Sequence, residues 1–250
     1  MKIPFVDWLG RKKPNPFLDA QNIFGALRKA GFEPRVVYDV GSAGGQWSRR
    51  LTQIFPAANF YLFEPLVDSK PHYQKNCALL CRRSNIHLLK IALSDSDGLR
   101  NIFSDEQGWG ASLLPTQAVG SLCEKLVVPV KKLETIVSEQ KLPVPDLVKM
   151  DVQGSELKVL HGATALLGQI QVIQTEIWFR RDYGSETPLF HEVSEFLGQF
   201  DFLLLEICAP YYAPAPRRDL TSADAFFIKS NLLAELADKL PSGSLAGRNF

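Results

Sequence analysis

Four carboxylates lie at the ends of short apolar runs that are typical of buried strands. Asp39 belongs to the run VVYDV, Glu64 follows NFYLF, Asp151 follows DLVKM, and Glu176 ends VIQTE. The carboxyl ends of parallel strands meet at one edge of a sheet, which is where ligands of open α/β proteins bind. Buried charges are costly unless they are paired or used, and core packing does not require four of them. The pattern therefore predicts a functional site at this edge.

A glycine-rich turn, GSAGG, follows the first of these runs directly. Glycine lets the backbone approach a ligand closely, because no Cβ intervenes. A strict dinucleotide fingerprint needs glycine at positions 41, 43 and 46, and the chain has Gly41, Ala43 and Gln46 there. The turn therefore favours a nucleotide that lacks a pyrophosphate. A purely structural tight turn is the alternative interpretation.

Glu64 strengthens the nucleotide interpretation. It follows the second apolar run, 25 residues after Asp39, which is near the interval at which an acid meets ribose hydroxyls in this topology. A carboxylate can accept hydrogen bonds from both vicinal hydroxyls of a ribose. A solvated carboxylate at a strand end is the alternative interpretation. The glycine turn at the end of the preceding strand favours the ribose interpretation.

The elements that must position these residues alternate between strand and helix, as in a parallel sheet with right-handed crossovers. Residues 94–117 are rich in Ser, Asp, Gly and Pro and are expected to form a loop or hairpin. The patterns predict strands at 36–40, 59–63, 86–93, 126–130, 146–151, 172–176, 202–207 and 225–229, and helices at 17–31, 46–55, 70–82, 133–140, 155–167 and 188–200. We predict an N-terminal helical arm (1–34), one α/β domain (35–230) and a C-terminal tail (231–250).

Composition excludes several classes of protein. The 250 residues are 46% hydrophobic and 22% charged with a net charge of +1, which excludes disorder, collagen and coiled coil. The balanced charge argues against a nucleic-acid partner. No apolar run approaches the ~20 residues that cross a bilayer. The N-terminus lacks a signal-peptide cleavage site, so we expect a cytoplasmic protein without a membrane partner. The four cysteines are scattered, which favours reduced thiols.

Six segments, taken in order, resemble the motifs of FkbM-type S-adenosylmethionine-dependent methyltransferases. They are DVGSAGGQWS, FYLFEP, IALSDSDG, DLVKMDVQGSELKVLHGA, IQTEIW and ADAFFIK, and the resemblance covers roughly residues 36–229. The resemblance implies a Rossmann-like class I methyltransferase fold of the α/β class. Its seven-stranded sheet would be mostly parallel with an antiparallel last strand and helices on both faces. The implied activity is O-methylation of a hydroxyl on a sugar, glycan or small metabolite, with S-adenosyl-L-methionine as cofactor.

The resemblance also implies roles for individual residues. Gln153 departs from the family, which usually has Glu at this position. Positions 92–95 would lie against the adenine, with Ser94 or Asp95 near its exocyclic amine. The complete set expected at the cofactor is Asp39, Gly41, Ser42, Ala43, Gly45, Glu64, Pro65, Ser94, Asp95 and Asp151.

A sugar hydroxyl is a poor nucleophile while it is neutral, so a base or metal near it should help to remove its proton. Asp151 is the predicted base. Lys149 would share its strand face and keep it ionised, which weakens a base. A divalent metal between Asp151 and Glu176 is an alternative, but no ligand motif supports it, so we predict no metal site. His161 and His191 are less suitable bases, because the first is distant from the strand end and the second lies among apolar residues.

Acceptor contacts are expected from loops that carry aromatic and arginine side chains, which suit a sugar-like ligand with polar or anionic groups. Gly108 and Gly110 flank Trp109 and could act as hinges if Trp109 moves as a lid. A nicotinamide-dependent oxidoreductase and a non-catalytic nucleotide-binding module are the alternatives, and the oligomeric state stays open. The residues expected at the acceptor are Trp109, Glu176, Trp178 and Tyr183.

Overall fold

The computed structural model describes residues 16–108, 110–115, 124–243 and 245. Within these ranges the helices are α1 Pro16–Ala30, α2 Gln46–Ile54, α3 Pro71–Leu80, α4 Leu133–Gln140, α5 Glu156–His161, α6 Phe190–Gly198 and α7 Ser230–Leu236, followed by a 3₁₀ turn at Ala237–Lys239. The strands are β1 Val36–Val40, β2 Asn59–Phe63, β3 Ile86–Leu89, β4 Ala92–Leu93, β5 Gly98–Ser104, β6 Glu124–Lys131, β7 Leu147–Met150, β8 Val172–Trp178, β9 Phe202–Tyr212 and β10 Leu220–Lys229. The division of the chain at residues 34 and 230 stays a prediction.

Seven strands of the described chain form one sheet in the order β3-β2-β1-β7-β8-β10-β9. The first five of these strands are mutually parallel, and β10 runs antiparallel to both β8 and β9. The strand order reverses between β1 and β7, so ligands are expected beyond the carboxyl ends of these two strands. The predicted fold class, with its antiparallel last strand, is confirmed.

Helices cover both faces of the sheet, which explains why the central strands are continuous apolar runs. All five residues of β1 are buried. Val36, Tyr38 and Val40 pack into one apolar cluster together with residues of α4, α5 and α6. Val37 points the opposite way and packs into a second cluster that contains residues of α1 and α2. Asp39 shares this second face, where its charge needs partners.

The segment predicted as one strand at 86–93 is split in the structure. The Ile91 amide donates to the Leu89 carbonyl, which turns the chain after β3. Ala92 and Leu93 then leave the large sheet and pair with β6 in a three-stranded sheet of order β4-β6-β5. Residues 98–104, predicted as loop or hairpin, form the edge strand β5. Its first four residues are exposed, so the apolar alternation that identifies a strand is missing.

Other element boundaries also differ from the predictions, most clearly at one helix and at the last two strands. The helix predicted at 155–167 ends at His161, and hydrogen-bonded turns follow it. The last two strands extend well beyond 202–207 and 225–229, because they pair with each other as a long antiparallel ribbon with irregular register. No helix in the described ranges is long and apolar enough to span a bilayer.

Candidate active site

The glycine-rich turn after β1 lies directly against the loop after β7. Gly41 has φ +71°, and a Cβ at this position would lie 2.0 Å from the carbonyl oxygen of Asp151. The amides of Gly41 and Ser42 both donate to the carbonyl of Phe63, at 3.0 and 3.2 Å. Only glycine tolerates both this backbone conformation and this contact. The turn therefore joins the carboxyl ends of β1, β2 and β7.

Glu64 holds the glycine turn in place from the end of β2. Its Oε2 accepts a hydrogen bond from the Ala43 amide at 2.8 Å, and its Oε1 accepts one from the Leu66 amide at 2.9 Å. Burial raises the pKa of this carboxyl, while the two amide donors act to lower it. A carboxylate oxygen has two acceptor sites, so each oxygen can accept one further donor from a ligand. Sequence reasoning placed Glu64 correctly at the strand end but did not anticipate its bonds to the turn.

A cavity of about 130 Å³ lies above this turn. Gly41, Ala43, Glu64, Pro65 and Asp151 border it. Its remaining wall is largely apolar and comes from β1, β2, α3, β4, β5 and the loops after β3, β5 and β7. That wall comprises Val40, Phe63, Tyr73, Ile91, Ala92, Leu93, Ile102, Gly108, Gly110, Ala111, Leu113, Val152 and Gln153.

The other residues expected at the cofactor do not border this cavity. Asp39 and Ser42 are buried beneath the turn, and a Cβ at Gly45 would lie 2.7 Å from Leu80, so this glycine serves packing there. The Ser94 hydroxyl is buried and donates to Asp95 at 3.2 Å, while Asp95 is exposed. Their contacts with a cofactor stay predictions.

A buried lysine anchors the loop that covers the cavity. Lys70 Nζ donates to the carbonyls of Asp105 and Glu106 at 2.7 and 3.1 Å and pairs with Glu124 at 2.6 Å. Gly108 packs so closely on Tyr73 that a Cβ would lie 2.7 Å from its hydroxyl oxygen. Sequence reasoning missed Lys70, because its partners are backbone atoms of a distant loop.

Lys149 connects the two acids at the ends of β1 and β7. Its Nζ lies 3.3 Å from Asp39 Oδ1 and 3.6 Å from Asp151 Oδ2, and it donates to the Gly41 carbonyl at 3.1 Å. Ser48 donates to the other oxygen of Asp39 at 2.6 Å. Burial acts to lower the pKa of the Lys149 ammonium, but Asp39 and Asp151 outweigh it and raise that pKa. The predicted ion pair of Lys149 with Asp151 is present.

Gln153 lies between the acids that end β7 and β8. Its Nε2 donates to Asp151 Oδ1 at 2.7 Å and to Glu176 Oε2 at 2.9 Å. Its Oε1 accepts a hydrogen bond from the Tyr183 hydroxyl at 2.5 Å, and its backbone carbonyl accepts one from Ser112 at 2.6 Å. The side-chain amide thus uses both N–H donors and fixes the two carboxylates relative to each other. The sequence marked this residue only as a departure from the family.

A second cavity of about 670 Å³ adjoins the first and shares Gly110, Asp151 and Gln153 with it. Glu176, Trp178 and Tyr183 border it, as expected for the acceptor, whereas Trp109 lies outside the described residues. The remaining lining residues are Trp47, Lys149, Gln174, Asp182, Ala209, Pro210, Tyr211, Thr221, Ser222, Ala223 and Asp224. The two cavities therefore meet at Asp151.

Comparison with known proteins identifies the family. The model of the methyltransferase FkbM domain matches residues 39–204, from the acid of β1 into β9. The chain belongs to the FkbM methyltransferase family. The resemblance noted in the sequence is thereby confirmed.

Two relatives and one solved structure are similar to this FkbM methyltransferase. The 2-O-methyltransferase NoeI of Sinorhizobium fredii is 28% identical over 67% of this chain and 73% of its own length. The hexuronic acid methyltransferase AglP of Haloferax volcanii is 25% identical over 69% of this chain and 68% of its own length. A candidate rRNA methylase from Clostridium thermocellum has a TM-score of 0.50 at 11% identity, with 88% and 98% of the two chains covered. That last similarity shows a shared fold alone.

Sequence reasoning missed Asp224 of this FkbM methyltransferase. It lies opposite Glu176 in the antiparallel pairing of β10 with β8 and accepts a hydrogen bond from Gln174 at 3.2 Å. Burial, followed by the charge of Asp151, raises the pKa of Asp224 to about 7. Burial, followed by the charges of Asp151 and Glu156, raises the pKa of Glu176 well above its ordinary value. One signal was available, namely an acid within the apolar run ADAFFIK.

Glu156 has a structural role. Its Oε1 accepts hydrogen bonds from the amides of Val152 and Gly154, at 3.3 and 3.1 Å, which shapes the loop between β7 and α5.

The described residues contain no group of three or more histidine, cysteine or acidic side chains placed to hold a metal ion. His161 packs edge-on against Phe196 and borders neither cavity.

Proposed function

We propose that the chain is an S-adenosylmethionine-dependent O-methyltransferase that methylates a hydroxyl group of a sugar. The observation that carries this proposal is the meeting of the two cavities at Asp151. The smaller cavity combines a glycine turn, an acid and apolar walls, and the larger one is lined by polar and aromatic side chains. Methyl transfer requires the donor and acceptor sites to be adjacent, because the reacting atoms must approach to ~3–3.5 Å.

The residues of the smaller cavity fit the proposed cofactor. Gly41 borders the smaller cavity with its backbone alone, and Glu64 retains acceptor sites for ribose hydroxyls. Beneath the turn, the buried Ser42 hydroxyl lacks a hydrogen-bond partner among the described residues, while Asp39 Oδ1 faces the Lys149 ammonium at 3.3 Å. Apolar residues such as Phe63 suit a flat base. When bound, S-adenosylmethionine supplies a methyl group that its sulfonium already activates.

Sugar hydroxyls are the proposed acceptors because of the relatives as well as the cavity. NoeI is named as a 2-O-methyltransferase and AglP as a hexuronic acid methyltransferase, so both names are consistent with methylation of a sugar. Carboxylates and indole or phenol groups line the larger cavity, which is chemistry that suits hydroxyl groups beside an apolar ring face.

Asp151 is the proposed base that receives the proton of the acceptor hydroxyl. Its side chain is 46% exposed, although it lies between two buried elements. Its Oδ1 is held by Gln153 at 2.7 Å, while Oδ2 lies 3.6 Å from Lys149, longer than an ordinary hydrogen bond. Oδ2 is therefore the atom with room to accept the hydroxyl proton. Lys149 and Gln153 orient the carboxylate from opposite sides.

Methyl transfer can be tested with trideuteriomethyl S-adenosylmethionine and a mixture of glycosides, followed by mass spectrometry of the products. We expect labelled sugar ethers from the wild type and about 100-fold less product from Asp151→Asn, since general-base assistance contributes about 10²–10⁴-fold. Asp68→Asn is the matched control, because Asp68 is exposed, pairs with Lys90 at 2.6 Å and borders neither cavity. It should keep wild-type activity.

The same protein preparations separate the alternative functions. Thermal stabilisation by NAD and not by S-adenosylhomocysteine would indicate an oxidoreductase. Stabilisation by neither compound would indicate a non-catalytic module. Full activity in Asp151→Asn would reject Asp151 as the base while leaving methyl transfer in place.

A further inference from the structure

The larger cavity is lined by more negative than positive side chains. Asp151, Glu176, Asp182 and Asp224 border it, and Lys149 is the cation among its described lining residues. Glu176 and Asp224 come from adjacent strands in direct register. These two acids receive hydrogen bonds from neutral amides and have no ion pair among the described residues. An acceptor in this cavity therefore contacts carboxylates that lack a neutralising partner.

Lys149 is not free to bind an anionic acceptor. Its ammonium is 3.3 Å from Asp39 and 3.6 Å from Asp151, and it donates to the Gly41 carbonyl at 3.1 Å. The two acids balance its charge, and its hydrogen bond to Gly41 uses one of the three N–H donors of an ammonium. The side chain is 8% exposed, which leaves little surface for a ligand.

Two nearby arginines are paired with acids. Arg217 pairs with Asp219 at 3.0 Å and with Asp182 at 3.5 Å. Arg180 pairs with the same Asp219 at 3.2 Å and lies 3.9 Å from Asp182. Neither guanidinium borders the cavity. Two of the arginines in the loops that the sequence suggested for the acceptor therefore neutralise the acids at the rim.

The neutral lining residues fit hydroxyl groups and a sugar ring face. Trp178 packs edge-on against Tyr183 at 5.1 Å, and its buried Nε1 has no acceptor among the described residues. Trp47 differs, because its Nε1 already donates to Gln174 at 2.9 Å. The wall thus offers one indole donor and several carboxylate acceptors. Hydroxyl and ammonium groups satisfy such acceptors, whereas a ligand carboxylate does not.

Building on the proposed function, we propose that the acceptor is a sugar without negative charge, neutral or amino-substituted, and that the larger cavity discriminates against uronic acids. A sugar carboxylate in this cavity would meet Glu176 and Asp224 without a free cation among the described residues that line it. Like charges placed together in a site cost several kcal/mol and exclude wrong ligands. Burial, followed by the charge of Asp151, raises the pKa values of Glu176 and Asp224, so the repulsion is expected to grow as the pH rises and these carboxyls ionise. In this respect the chain differs from the activity named for AglP.

Matched glycosides test this selectivity. We would assay p-nitrophenyl glucoside, galactoside and glucosaminide beside the corresponding glucuronide and galacturonide, using labelled S-adenosylmethionine. The expected kcat/KM for each uronide is at least about tenfold below that of its neutral partner. A uronide methylated as well as its neutral partner, or failure of every neutral and amino glycoside to bind, would overturn the inference. A uronide preference would leave the proposed methyltransferase activity standing, whereas absent binding of S-adenosylhomocysteine would reject that activity itself.

Asp224→Asn provides a second test. Removing this charge should raise the uronide-to-neutral ratio of kcat/KM by about tenfold, since the unpaired acid is the proposed source of repulsion. Glu139→Gln is the matched control, because it removes one negative charge from an exposed pair with Lys131, outside both cavities. An identical ratio in Asp224→Asn and Glu139→Gln would contradict the role of Asp224.

Discussion

The carbonyl oxygen of Asp151 lies 2.0 Å from the position that a Cβ of residue 41 would occupy. This contact couples the glycine turn after β1 to the loop that carries the proposed base. The glycine turn and the loop that carries Asp151 therefore fix each other's position, and a change in either loop displaces the other.

Gly41→Ala should disrupt this arrangement. The added methyl group overlaps a backbone atom, and φ +71° is unfavourable for alanine. We expect the free energy of unfolding to fall by about 2–4 kcal/mol from overpacking and backbone strain together. Affinity for S-adenosylhomocysteine should fall as well. Denaturant unfolding and calorimetry measure the two effects.

Gly25→Ala is the control for the same chemical change. Gly25 lies within α1, and a Cβ there would have no atom within 4 Å. Alanine favours a helix interior over glycine by about 1 kcal/mol, so this variant should be slightly more stable than the wild type. Equal stability of the two variants would show that the contact between Gly41 and Asp151 is not tight.

Gln153→Glu should shift the pH dependence of activity. The substitution removes two N–H donors and adds a carboxylate between Asp151 and Glu176. Like charges raise carboxyl pKa values, so the acidic limb of the pH profile of kcat should move to higher pH by about one unit or more. The proposed base would then be protonated over a wider range. The measurement is kcat for methylation of a glycoside acceptor from pH 5 to about pH 9.

Gln199→Glu is the matched control, because Gln199 is exposed at the end of α6 and distant in sequence from the site acids. Its pH profile should overlay that of the wild type. An unshifted profile in Gln153→Glu would show that Gln153 does not influence the group that limits activity at low pH.

Asp224→Asn should change the pH dependence of stability. The pKa of Asp224 in the folded protein is about 7, above its ordinary value of 3.8. Folding therefore favours the protonated carboxyl, so the wild type loses stability as the pH rises from about 4 to about 7, and the loss levels off above that range. Between about pH 5 and pH 8 the wild type should lose on the order of 1–3 kcal/mol more unfolding free energy than Asp224→Asn. Urea titrations measure this difference, and parallel curves for the two proteins would contradict it.

Local sequence patterns predicted the elements that position Asp39, Glu64 and Asp151. Residues 59–63 and 133–140 were predicted with the bounds that the structure has, because apolar periodicity there is interrupted by proline and polar residues. The shared edge of Asp39, Glu64 and Asp151 follows from a parallel topology alone. The family and the fold could be recognised from the sequence because most of the motifs that carry the resemblance lie on or directly after these parallel strands.

The part of the site around Glu176, Tyr183 and Asp224 depends on contacts between segments that are distant in the sequence. Asp224 faces Glu176 only through the antiparallel pairing of β10 with β8, and Gln153 meets Tyr183 across 30 residues of sequence. No local periodicity specifies such register. The split after β3 also escaped prediction, because a turn at residues 90–91 interrupts a continuous apolar run. The roles assigned to individual site residues stay predictions.

Calorimetric titration with S-adenosylhomocysteine tests the central claim most directly, when wild type, Glu64→Ala and Glu235→Ala are compared. Glu235 is exposed on α7 and serves as the matched control. We predict binding by the wild type, equal affinity for Glu235→Ala, and at least about tenfold weaker binding for Glu64→Ala, since lost hydrogen bonds to a charged group cost about 1.5–3 kcal/mol. Thermal unfolding confirms that each variant is folded. Absence of binding by the wild type, or unchanged affinity in folded Glu64→Ala, would contradict a cofactor site between the glycine turn and Glu64.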